Sequence, residues 1–143
     1  MTTIAKALKE KNKLKLEISL LLKRMNTHNS VMKGNSRPFD LSKLDQELPE
    51  KISAIISLKS AITNANQPVQ EKIYRMAELK ALIAFYKKLN VTEGKSTEGY
   101  GSEVHEFDVF FNEAVIYEKV KKLEADVEII QDELEAFNHV TII

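Results

Sequence analysis

Between residues 116 and 137, large apolar side chains recur at alternating spacings of four and three: Ile116, Val120, Leu123, Val127, Ile130, Leu134 and Phe137. A seven-residue apolar period keeps one stripe of an α-helix facing a partner, whereas strand side chains alternate every second residue. Residues 109–137 are therefore read as a long, coiled-coil-like C-terminal helix. Three shorter helices are read before it. Residues 3–25 hold Ile4, Ala7, Leu14, Ile18, Leu21 and Met25 in the same period, with Lys11 as the one polar intruder. Residues 41–64 turn Leu44, Leu48, Ile52, Ile55 and Ile62 inward behind Asp40, a residue type that caps helix N-termini. Pro49 in this segment predicts either a kink or a later start. Residues 68–89 open on Pro68, whose missing N–H costs nothing in a first turn, and align Ile73, Met76, Ile83 and Tyr86.

Glycine and proline together number seven in 143 residues, and all four glycines lie outside these segments. That scarcity argues against a β-sandwich or a disordered chain. The expected fold is all-α: one domain over residues 1–143, an antiparallel bundle of about four helices ending in the long one. Residues 104–109 and 139–143 are β-prone and leave room for a short β ribbon. The loops around residues 26–39 and 90–108 are longer than most helix-to-helix connections.

Gly94-Lys95-Ser96-Thr97 imitates the end of a nucleotide-binding P-loop. That motif needs a glycine five residues before the Gly-Lys pair, a strand feeding the loop and a helix leaving it. Leu89 holds the glycine's position, a helix end precedes, and "EGYGSE" cannot open a helix. A nucleotide site is rejected. His28, His105 and His139 are far apart, and although Glu103, Glu106 and Asp108 surround His105, strand alternation would divide them between two faces. No metal site and no cofactor are expected. Without cysteine there is no thiolate nucleophile or disulfide, and no catalytic motif is recognisable. The chain is read as non-enzymatic.

Charge is unevenly placed along a chain of zero net charge. Residues 1–40 carry nine Lys/Arg against three acids, and residues 103–143 carry three Lys against eleven acids. The basic helix has an acidic counterpart within the sequence, and few aromatics are available to stack on bases, so nucleic acid is not an expected partner. No apolar run approaches the roughly 20 residues of a membrane span. A cytoplasmic protein is expected.

Several stretches resemble the septicolysin-like family of small bacterial helical proteins. "IAKALKEKNKLKLEISLLLKRM" is similar to its opening basic helix, and "NTHNSVMKGNSRP" to the Asn-containing loop after it. "IISLKSAITNAN", "RMAELKALIAFYKKL" and "LEADVEIIQDELEAFNHVTII" are similar to its later helices. Ile130-Gln131 and Asn138 match the family's C-terminal helix, while His139 stands where the family tends to have Trp, and Pro49 is atypical. The resemblance implies an α-helical fold and no established activity. The cytolysin name borne by some members would imply membrane damage.

The function expected is association, with further copies of the chain or with another helical protein, through Ile116, Val120, Leu123, Val127, Ile130 and Leu134. Two alternatives stand beside it. The basic amphipathic first helix could act on membranes, a contact that is not favoured. The long loops could bind a small ligand through His28, Arg37, Tyr100, His105 and Phe107.

Overall fold

The computed structural model describes residues 1–96 and 103–143. Within them the order of elements is α1 (Ile4–His28), α2 (Leu41–Ala65), a short 3-10 turn (Gln67–Val69), α3 (Gln70–Lys87), β1 (Gly94–Ser96), β2 (His105–Phe107) and α4 (Glu113–Val140). The protein is all-α, with a long C-terminal helix and one two-stranded antiparallel ribbon. None of the described helices is long and apolar enough to cross a membrane.

Local chemistry sets the helix ends. The Thr3 hydroxyl accepts the Lys6 N–H at 3.3 Å, and Asp40 Oδ1 accepts the N–H groups of Ser42 and Lys43, which opens α2 where the sequence predicts. Such caps satisfy N–H groups that have no partner in the first turn. Asn112 caps α4 by accepting the Val115 N–H at 2.9 Å, so this helix starts after residue 112 rather than near 109. Pro49 neither breaks α2 nor delays it: the helix runs through Pro49 from Leu41. Pro68 sits in the 3-10 turn, one step ahead of α3.

The chain packs as two compact units, Met1–Pro68 with Glu135–Ile143, and Val69–Leu134. In the first, α1 and α2 are in close backbone contact and antiparallel. Glu17 meets Lys51 at 2.9 Å, while Ala7 and Leu14 share a groove with Ala54 and Ala61. Alanines along this seam let the two backbones approach. Ile4, Ala7, Leu21, Leu44, Ile55 and Ile62 form the buried positions. Ile4 is 0% exposed and sits in a backbone clasp: its N–H donates to the Thr141 carbonyl, the Ile143 N–H donates to that of Thr2, and Thr3 bridges Ile142 antiparallel.

In the second unit, Ile83 of α3 packs with Ile116, Val120 and Val127 of α4, flanked by Met76, Leu79 and Leu123. Lys72 pairs with Glu133 at 2.8 Å and Lys87 with Glu124 at 3.2 Å, so the early part of α3 meets the late part of α4. That makes this pair antiparallel as well. Gly94, Lys95 and Ser96 register against Phe107, Glu106 and His105 in the ribbon. Both β-prone segments therefore form extended pairs, but with different partners: residues 105–107 take the Gly94–Ser96 strand, and the C-terminal residues take Thr3.

Candidate association surface

The apolar stripe of α4 is closed inside a single chain. Ile116, Val120, Val127, Ile130 and Leu134 are buried and Leu123 is half-buried, so the six residues expected as the association surface are covered by their own chain. The period identified the stripe correctly as a place to be covered. In the Val69–Leu134 unit, Ile83 and its neighbours on α3 cover Ile116, Val120 and Val127, and an apolar stripe is satisfied equally by its own chain or another.

Of the loop residues, His28 and Arg37 belong to the first unit and His105 and Phe107 to the second. Arg37 folds back on α1, its Nε donating to the His28 carbonyl at 2.8 Å and its Nη2 to the Asn29 carbonyl at 2.9 Å. The guanidinium thus satisfies the free carbonyls at the end of α1, a structural cap rather than a ligand contact. Phe39 stacks beside His28 at 5.5 Å and under Arg24 at 4.6 Å, which pins the same turn. His105 and Phe107 lie in β2, in the other unit, and Tyr100 falls outside the described residues. Phe107 and Phe111 line a cleft of about 260 Å³, below the roughly 300–1,000 Å³ of ordinary small-molecule sites. Gly94–Ser96 is a strand, not a phosphate-binding loop; Thr97 lies outside the described residues. Among the described residues no three His, Asp or Glu side chains converge on a common centre.

What the structure leaves open are the backs of the helices. A pair of helices buries one stripe of each; apolar side chains on the far sides need another cover. On α1, Leu16 is 72% exposed and Leu20 46%, one helical turn apart, with exposed Lys9, Lys13 and Lys23 in line with them. On α4, Ile129 is 58% exposed between exposed Ala125, Glu128 and Asp132. A concavity of about 870 Å³ runs beside the earlier turns of that helix, walled by α4 alone from Ala114 to Ala125, as an uncovered helix face would be. In the sequence these residues are overshadowed, because each helix already has a stronger stripe. The signal was present nonetheless: residues 9, 13, 16, 20 and 23 repeat the four-and-three spacing, as do 122, 125, 129 and 132.

The two faces differ in charge. None of Lys9, Lys13 and Lys23 forms a salt bridge, and neither does Glu128 or Asp132, among the described residues. The acids that α3 neutralises are Glu124 and Glu133, on the inner flanks of α4. Glu17 is also engaged: its hydrogen bond from Lys51 holds its carboxyl below the ordinary 4.5, and the same bond raises Lys51 above 10.5. Compared with known proteins, the chain matches no family model, no curated protein and no solved structure.

Proposed function

We propose that this is a non-enzymatic helical protein that works by association, with further copies of itself or with another helical protein. The observation that carries the reading is the state of the helix backs: Leu16, Leu20 and Ile129 stand in solvent among charges that form no salt bridge among the described residues. Single exposed apolar residues are ordinary, but a pair one turn apart within a heptad stripe is how helices recognise helices. Burying a leucine fully is favourable by about 1.5–3 kcal/mol, so two or three such residues supply the core of a specific contact. Light scattering behind a sizing column, over a hundredfold concentration range, tests the reading. Species heavier than the 16.3 kDa chain support it. A mass of one chain throughout, together with no helical protein retained by the immobilised chain, refutes it.

A second reading has one observation in its favour. Leu16 and Leu20 among lysines are also what an anionic bilayer surface accepts, and the septicolysin-like resemblance points the same way. It requires leakage of dye from anionic vesicles that fades as salt is added; intact vesicles at low salt end it. Ligand binding in the loops has less support, since the cleft at Phe107 is small and Arg37 is committed to the α1 terminus.

A further inference from the structure

We propose that the outer face of α1 in one copy docks on the outer face of α4 in a second copy, a contact that rests on the self-association reading and names its two surfaces. The α1 face is the line Lys9, Lys13, Leu16, Leu20, Lys23, spaced four, three, four, three. It is a second seam on the back of a helix whose front seam is used against α2. The α4 face is the line Lys122, Ala125, Ile129, Asp132 with Glu128 beside it, at the same period. Helices that meet along matching periods bring their side chains into one another's gaps over several turns.

Charge selects this pairing over the others. α1 carries seven Lys/Arg against two Glu. Residues 124–135 of α4 carry six acids and no Lys or Arg. Two α1 faces brought together would set Lys13 and Lys23 of each copy against lysines with no acid in either line, and two α4 faces would meet with four acids against the two Lys122 side chains. Like charges held opposite each other oppose association, while the mixed pair brings lysines to carboxylates around Leu16, Leu20 and Ile129, and among the described residues none of Lys9, Lys13, Lys23, Glu128 and Asp132 is held in a salt bridge. Small Ala125 beside Ile129 leaves room for a leucine of the docking helix. Because the two faces differ, copies either close a ring by making the contact at every face or leave a face open and grow.

The test reverses each face at exposed positions. Lys13→Glu with Lys23→Glu makes the α1 face acidic; Glu128→Lys with Asp132→Lys makes the α4 face basic. Helical content by circular dichroism checks that every variant folds. The full chain should associate, and its dissociation constant should rise with salt. Each double variant should weaken self-association by about tenfold or more, as expected for charge pairs around a docking core. An equimolar mixture of the two should associate again, and so should one chain carrying all four substitutions. Association untouched by either reversal overturns the face pair while leaving self-association standing. Weakening without recovery in the mixture or the fourfold variant overturns it as well. A wild-type chain that stays one chain in mass removes both the contact and the reading beneath it. Binding of α1 to phosphatidylglycerol vesicles by such a monomer, abolished by Lys13→Glu with Lys23→Glu, would assign the face to a lipid surface instead.

Discussion

Replacing Ile4 by alanine perturbs the most thoroughly buried large side chain among the described residues, and it lies in the first turn of α1. Truncation removes three carbons from a site that is 0% exposed. At about 0.8 kcal/mol per buried methylene the transfer loss is near 2.4 kcal/mol, and an unfilled cavity raises the total toward 3–4 kcal/mol. The clasp overhead limits how far the site can collapse, because the Ile4 N–H to Thr141 and Ile143 N–H to Thr2 hydrogen bonds, both 2.9 Å, hold the strands in place. Those bonds use backbone atoms and survive the substitution. Ile56→Ala is the control: the same chemistry on α2 at a side chain 57% exposed, where about 1 kcal/mol is expected. Equilibrium unfolding in urea at one fixed protein concentration, followed by circular dichroism, measures both. The fixed concentration matters because association would add to apparent stability. If Ile4→Ala costs no more than Ile56→Ala, the clasp does not seal the first turn and the account of this core is wrong.

Other expectations follow from single contacts. Arg37→Ala should destabilise the α1 terminus by about 1–3 kcal/mol through loss of two charge-assisted bonds to His28 and Asn29, with Arg37→Lys recovering only part; thermal unfolding reads both. Gly34 has φ 94° with open space around it, so Gly34→Ala should cost about 1–2 kcal/mol from backbone conformation alone, and an unchanged melting temperature would refute that. Pro49→Ala should stabilise the chain by about 1–3 kcal/mol, since proline inside α2 has no N–H to give the Asp45 carbonyl; an equal or lower urea midpoint would sink the idea. The Glu17–Lys51 pair sets a pH window. Glu17 is lowered, so its contribution is present above 4.5 and lost as pH falls through its folded value; Lys51 is raised, so its contribution is present below 10.5 and lost as pH climbs past its folded value. Glu17→Gln should therefore lower the melting temperature slightly at neutral pH and by a vanishing amount in strong acid, the effect being small because both side chains are about a third exposed, at 30% and 35%.

Helix identity was legible because it is written locally. The period of Ile116 to Leu134 and the cap at Asp40 involve residues within a few positions of one another, and α2 begins where that cap predicts. The ends that the sequence misplaced depend on side chains whose role is settled only by what they reach. Asn112 looks like any loop asparagine until it meets the Val115 N–H, and Arg37 looks like a ligand residue until its guanidinium closes the end of α1 from nine positions away. The β-prone segments were visible as extended chain, but not their partners, since backbone pairing is blind to residue type once a strand is unpaired.

By itself, the amino-acid sequence determined that this chain is helical, where its apolar stripes run, and that a basic helix and an acidic one coexist in it. Those follow from hydrophobic period, capping and charge, which act over one or two turns. Only the tertiary structure decided that the strongest stripe, on α4, is spent within the chain while the weaker lines through Leu16 and Ile129 stay bare. Hydrophobic burial is non-directional: a stripe requires a cover but does not name it, and only the packed chain reveals which stripes are already covered.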